Sequence, residues 1–455
     1  MKTIKKSIII LLMAAAQSAF CTTISVDWNK SAGKIKPLHG VNNSPIVLNG
    51  DIPEFREAGI PFMRTHDTGG LFGLNVYIDV PNIFRDFDAD PSNPDNYDFT
   101  FTDAYLKSVA KSGTKIFYRL GVTIENNYRV KAYRIHPPKD YKKWAQICAG
   151  IIRHYNKGWA NGFNYNIEYW EIWNEPENHM MWTGTMKDYM DMYTVAANYL
   201  KKEFPEIQIG GYAGCGFFEL TRPIEKCPTR GLKILDWFNA FVKLGAEKKA
   251  PIDFFSWHLY TDDPEEIAVH ANYVRETLDK AGLARVKSVF NEWNYNLGGG
   301  RLGDVRKSHK GASFVAAAFA AMQYGKIDMA MYYDATPARS YGGIHEFPSM
   351  DLTKTFFSFK AFNVLHKLGE AVETAGGRGE KIYAVAAIDR HSGKKALLIT
   401  NYNNAEKTVK LNFDGEVRRV FVIDEKYKYT ELNFIIDAKK TAKLNPYATL
   451  LLEIE

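Results

Sequence analysis

Eight short apolar runs separated by amphipathic helical patterns, followed after Gly376-Gly377 by consecutive period-two strands, predict an α/β chain: a (β/α)8 TIM barrel with a small C-terminal antiparallel β-sandwich domain. The 455 residues are 46% hydrophobic and 14% aromatic, enough core for one large barrel and a satellite, which excludes a disordered chain.

At the N-terminus, Lys2, Lys5 and Lys6 precede an apolar run over 8–16 and small residues before Cys21. This is the pattern of a secretory signal peptide, expected over 1–22, and it is too short for a membrane span. A secreted or periplasmic location follows. Lipid anchoring at Cys21 is the lesser alternative, because Phe20 stands where a small residue normally precedes a lipidated cysteine. The same three lysines make up half of the formal charge of +6. The remainder is dispersed, so no nucleic-acid surface is expected.

Residues 23–28 form a short strand expected to join the sandwich. The barrel, over 34–371, opens with the strand 36–41 and continues with apolar runs at 60–64, 115–120, 167–173, 207–212, 252–258, 286–292 and 327–333. Helical periodicity fills the intervals at 101–111, 141–156, 188–203, 232–244, 265–281 and 312–324, and the last helix runs over 355–368. The sandwich domain, 372–455, is read from alternating runs at 381–388, 396–401, 408–413, 417–423 and 449–454. With no flexible linker between them, the two domains are expected to pack together.

Beyond the leader, three cysteines remain. Cys215 and Cys227 flank a loop and either pair as a disulfide or stay as thiols. Cys148 lies on an apolar helical face with Trp144 and Ile151 and reads as core. No Cys or His spacing matches a zinc site.

The chemistry resides in two strand ends. Tyr169-Trp170-Glu171-Ile172-Trp173-Asn174-Glu175-Pro176 delivers an amide and an acid to the barrel mouth, where Pro176 stops the ladder. Val289-Phe290-Asn291-Glu292 delivers a second acid from the seventh strand. Two carboxylates at facing strand C-termini form the pair a retaining glycosidase needs, about 5 to 5.5 Å apart. The plain alternative makes Glu175 a helix cap and Glu292 a surface acid. For the glycosidase reading, Glu175 has to start each cycle protonated, so burial and Glu292 are expected to raise its pKa.

On these motifs the chain resembles glycoside hydrolase family 39, the β-xylosidase and α-L-iduronidase family of the retaining clan A. Residues 170–179 are similar to the family's acid/base strand and Asn291-Glu292 to its nucleophile strand. Met63-Arg64-Thr65-His66 is similar to its second strand, and Tyr97-Asp98-Phe99-Thr100 with Asp103 to the entry of the helix that follows. The resemblance implies Glu175 as acid/base and Glu292 as nucleophile. In this scheme Asn174 hydrogen-bonds the sugar 2-hydroxyl and His66 reaches another hydroxyl. Arg64 keeps Glu292 ionised or pairs with a different acid. Tyr260 or His258 hydrogen-bonds the nucleophile. Tyr333 replaces the tryptophan that many clan members place beneath the sugar. Trp173, Trp182, Trp293 and Tyr295 are candidate stacking platforms, with core packing as the alternative. Gly298-Gly299-Gly300 with Arg301 reads as a loop over the site.

A neutral terminal sugar, first a β-xyloside, is the expected substrate, an oligosaccharide or other glycoside. Related iduronidases carry a lysine where this chain has Tyr260, although Arg301, Arg339 or Lys354 can supply a cation from loops. An α-L-arabinosidase, an iduronidase-type enzyme and an inactive carbohydrate-binding barrel are the competing readings. The chemistry calls for no cofactor and no metal. Nothing in the sequence sets an oligomeric state.

Overall fold

The computed structural model describes residues 22–68, 78–123, 134–296, 302–337, 341–432 and 435–455. The expected leader with Cys21, the Gly298 to Arg301 loop and Arg339 lie outside these residues.

Eight parallel strands close the barrel in sequence order. After an N-terminal strand β1 (Thr22–Lys34) they are β2 (Gly40–Asn42), β3 (Phe62–Thr65), β4 (Lys115–Leu120), β5 (Tyr169–Ile172), β6 (Gln208–Gly214), β7 (Phe254–Thr261), β8 (Lys287–Tyr295) and β9 (Met329–Tyr332). The connecting helices are α1 (Pro53–Glu57), α2 (Val80–Ile83), α3 (Thr100–Lys111), α4 (Tyr141–Lys157), α5 (Met186–Glu203), α6 (Ile234–Ala246), α7 (Pro264–Lys280), α8 (Leu302–Lys307), α9 (His309–Gln323) and α10 (Lys354–Leu368). Capping residues start the long ones: Asp140, Thr185, Asp263, Ser308 and Thr353 each accept hydrogen bonds from first-turn backbone N–H groups.

Strand periodicity sorts the barrel interior into layers. Phe62, Phe117, Tyr169, Phe254, Val289, Met329 and Met331 form an apolar floor. Two residues further along their strands come Arg64, Arg119, Glu171, Ser256 and Asn291, all fully buried. The outward-facing residues merge with the helices into the main core. Phe99 of the Tyr97 to Thr100 motif stacks on His154, which binds Asp103, so that motif knits α3 to α4.

The second domain is one curled nine-stranded sheet with order β15-β14-β17-β12-β11-β10-β1-β13-β16. Its later strands are β10 (Glu370–Ala375), β11 (Ile382–Ile388), β12 (Lys395–Asn401), β13 (Lys407–Asn412), β14 (Val417–Ile423), β15 (Lys428–Glu431), β16 (Thr441–Leu444) and β17 (Thr449–Ile454). All pairs are antiparallel except β1 with β13, which is parallel. The N-terminal strand therefore lies inside this sheet and runs on to Lys34. Along β12 alternate residues serve two cores: Leu397 and Ile399 face the sheet's own interior, Ala396 and Leu398 the barrel core. Helices α9 and α10 carry that contact. Every residue of α9 from Gly311 to Gln323 is buried, which accounts for its lack of a polar face.

The cysteines stay reduced: Cys148, Cys215 and Cys227 are buried free thiols. The Cys227 thiol points at the carbonyls of Arg222 and Pro223 within its own loop, so the alternative of a Cys215 pairing is not taken. Among the described residues, no helix is long and apolar enough to cross a membrane.

Candidate active site

Two departures from regular strand geometry build the site. Beyond β5, Trp173 and Glu175 adopt φ of 75° and 43°, a left-handed conformation that non-glycine residues avoid. The chain turns so that Trp173 packs outward while Asn174 and Glu175 face the mouth. On β8 a bulge interrupts pairing with β7, since Trp257 lies opposite Phe290 but His258 lies opposite Glu292. Asn291 is the extra residue, and both it and Glu292 face the interior where strict alternation would send one of them out.

The two carboxylates converge. Oxygens of Glu175 and Glu292 and a ring nitrogen of His258 all lie within 4.8 Å of one another. This is close to the spacing of a retaining pair and well below the roughly 6.5 to 9.5 Å that an inverting enzyme leaves for a water.

Arg64 is the hub beneath them, fully buried. Its Nε donates to Glu171 Oε2 at 2.8 Å, Nη1 to Asn42 Oδ1 at 3.0 Å and to Glu292 Oε2 at 3.4 Å, and Nη2 to Asn174 Oδ1 at 2.6 Å. Arg64 thus contacts both Glu292 and a different acid, with Glu171 the shorter contact. Since Asn174 spends its carbonyl on Arg64, its amide N–H group is left for a ligand. Glu171 also accepts from Asn291 Nδ2 at 2.5 Å.

Tyr260 Oη donates to Glu292 Oε1 at 2.7 Å. His258 instead reaches the other acid, with Nδ1 2.8 Å from Glu175 Oε1 and 3.6 Å from Glu292 Oε2. His66 Nε2 lies 3.8 Å from Glu292 Oε2 and 3.4 Å from Asp67 Oδ1. Burial and the cations of Arg64 and Arg119 hold His66 well below the usual imidazole value, so it is neutral. Tyr333 Oη donates to Asp67 Oδ2 at 2.8 Å, and its ring lies near those of His66, Tyr260 and Tyr341.

Three expectations need correction. Trp293 is no stacking platform: one step past the bulge it points outward and packs on Phe290, Phe314, Phe319 and Tyr332. Trp173 and Trp182 pack on each other, and Tyr295 on Phe314, for the same reason of facing the helix layer. The expected rise of the Glu175 pKa is also not found. Burial does push it up, but the hydrogen bond and charge of His258 outweigh that and hold it below the usual carboxylate value. Glu292 is raised, by burial first, with His258 opposing and Glu175 adding to the rise. At this separation the two acids titrate as one set. Finally, Lys354 is no loop cation for a sugar carboxylate, because its ammonium is bound to the carbonyls of Asp424 and Glu425 in the second domain.

Sequence reasoning passed over Glu171, Asn42, Asp67 and Glu177. Glu177 is buried, accepts the Cys215 N–H at 2.6 Å, and is pushed up to about 8 by burial and by Glu175. The inward-facing parity of Glu171 within its strand was the available signal for that residue. Glu177 stands two places past Glu175, with nothing local to mark it.

Comparison with known proteins agrees with this architecture. The model of glycosyl hydrolases family 39 matches residues 27–296. A β-xylosidase of Geobacillus stearothermophilus is 26% identical over 230 residues, which take in 48% of this chain and 40% of the xylosidase. The chain therefore spans less than half the length of that relative. Among solved structures, a glucosidase from Croceicoccus marinus superposes with a TM-score of 0.74 at 20% identity, covering 95% of this chain and 99% of the other. A monomeric β-xylosidase from Caulobacter crescentus CB15 gives 0.67 at 15% identity, with 95% and 99% covered.

Proposed function

The chain belongs to glycosyl hydrolases family 39, and from that membership we propose that it is a secreted retaining glycosidase removing terminal neutral sugars, foremost β-xylosides. Glu175 is its acid/base and Glu292 its nucleophile. The observation that carries this reading is the approach of a half-buried and a buried carboxylate within 4.8 Å at the C-terminal mouth of the barrel.

In the first step Glu292 attacks the anomeric carbon while Glu175 gives its proton to the departing oxygen, leaving a glycosyl ester on Glu292. In the second, Glu175 takes a proton from water, which attacks the same carbon and releases the sugar with its configuration retained. Tyr260 and Arg64 hold Glu292 in line for attack. Asn174 is turned by Arg64 so that its N–H meets the 2-hydroxyl, a contact that strengthens as positive charge develops on the ring. His258 orients Glu175. A bound glycoside brings the leaving oxygen against Glu175 and displaces water, so the proton shared by the set moves to the carboxyl that can deliver it.

A neutral sugar is favoured by the commitments of the polar groups. The hydroxyl of Tyr260 is bound to Glu292, and Lys354 is bound to backbone carbonyls of the second domain. The guanidinium groups of Arg64 and Arg119 are already paired with Glu171 and Asp79, and leaving a uronate charge unpaired in a buried site is costly. Aryl xylosides, arabinosides, glucosides and iduronides compared by kcat/KM test the reading. The xyloside is expected to lead, with NMR of the first product showing the retained anomer. An inverted product sinks the mechanism, and an iduronide preferred over the xyloside sinks the substrate class.

A further inference from the structure

The side chains that converge on the sugar site also match the donor set of a transition-metal centre. We propose that the barrel mouth binds one divalent cation of the zinc class through His258, Glu175 and Glu292, and that this cation reversibly blocks the site.

Ligand spacing is the first support. Four donors at about 2.0 to 2.1 Å from a tetrahedral zinc stand about 3.3 Å from one another. Here His258 Nδ1 lies 2.8 Å from Glu175 Oε1 and 3.6 Å from Glu292 Oε2. The donor atoms of these three residues lie within 4.8 Å of one another, a spacing that one cation can span with small rotations of the carboxylates.

His258 is the second support. It is almost fully buried, at 1% exposure, and the ring nitrogen that it turns toward both carboxylates is Nδ1. The carboxylates keep an opening to the mouth, with 20% and 10% of their side chains exposed.

Donor chemistry selects the ion. An imidazole beside two carboxylates suits zinc or copper, whereas magnesium and calcium seek six or more oxygen ligands. Tyr260 on Glu292 Oε1 fixes the direction of that carboxylate, as outer hydrogen bonds do around zinc, and Oε2, which Arg64 Nη1 reaches only at 3.4 Å, is the oxygen turned to the metal. The cation would occupy the place of the anomeric carbon and leaving oxygen, so metal and glycoside exclude each other.

The block on hydrolysis rests on the function proposed above, but binding does not. Zinc chloride is titrated calorimetrically into the chelator-treated full-length protein. One cation per chain is expected, at least tenfold weaker in His258→Asn and in Glu292→Gln, and unchanged in His136→Asn, which removes an exposed histidine. Magnesium chloride should give no comparable binding. Aryl xyloside hydrolysis should fall in step with zinc occupancy and return on adding a chelator. Zinc binding that survives both His258→Asn and Glu292→Gln, or that is lost in His136→Asn, overturns the site. Undiminished hydrolysis at saturating zinc overturns the block while leaving the proposed function standing.

Discussion

At the scale of single residues, the acid/base and nucleophile roles proposed for Glu175 and Glu292 should separate by leaving group. Glu175→Ala cannot protonate the departing oxygen, so hydrolysis of a poor leaving group should fall by roughly 10²- to 10⁴-fold, while dinitrophenolate, which leaves unassisted, should be far less affected. Glu292→Ala should be inactive on both, because no leaving group replaces the bond Glu292 makes to the sugar. Equal loss on both substrates in Glu175→Ala would refute the assignment. His258 opposes burial most strongly in holding the Glu175 pKa down, so His258→Asn should raise it. The basic limb of kcat/KM against pH should then move upward, and a limb that stays in place would refute the contact as the cause. Glu177 supplies a sign of the opposite kind. Its carboxyl rises from 4.5 unfolded to about 8 folded, so the native state binds the extra proton between these values and stability is lost as pH climbs through them. Glu177→Gln cannot lose that proton. Its melting temperature relative to the parent should improve between pH 5 and pH 8.5, and a constant difference across that range would show that Glu177 does not ionise as described.

At the scale of elements, the alternation of apolar runs and helices was readable because parallel strands buried on both faces leave continuous hydrophobic stretches. The short α1, α2 and α8 and the strands β10, β15 and β16 were not, since four to six residues carry too little periodicity to stand out. Both acids could be found because each closes an apolar strand. Their partners could not: Arg64, Glu171 and Asn291 meet only when β3, β5 and β8 close into a barrel. The β8 bulge also hides which neighbour of Glu292 faces inward, and for that reason Trp293 was read as a sugar platform. Its true place predicts a stability effect and not a specificity effect. Trp293→Ala empties a site among Phe290, Phe314, Phe319 and Tyr332 and should cost about 3 to 5 kcal/mol in chemical denaturation. KM of the remaining folded protein should stay near the parent value. A large rise in KM at unchanged stability would return Trp293 to the pocket.

At the scale of the whole molecule, the chain enters through the second domain, builds the barrel and returns to close the sheet it started. Strand β1 pairs with β10 and β13, so the sheet holds both ends of the described chain. The interface is a continuation of the core. Ala396, Leu398 and Leu451 of the sheet belong to the same buried cluster as the barrel, and α9, apolar all round, lies between them. Polar contacts fix the register, with Ser313 Oγ 2.7 Å from Thr400 Oγ1 and Tyr402 Oη donating to the Asp262 carbonyl at 2.7 Å. Asp262 directly follows β7, the strand that carries His258 and Tyr260, so the second domain braces the wall of the site from outside. Two units joined by an apolar helix buried on both sides should lose structure together, because either one alone would present α9 or its sheet partner to water. Calorimetry of the full chain should therefore show a single unfolding transition with agreement between calorimetric and van't Hoff enthalpies. A fragment ending at residue 371 should be insoluble or lack cooperative unfolding. Two resolved transitions, or a soluble fragment that melts cooperatively and retains hydrolytic activity, would show that the barrel stands without its sheet.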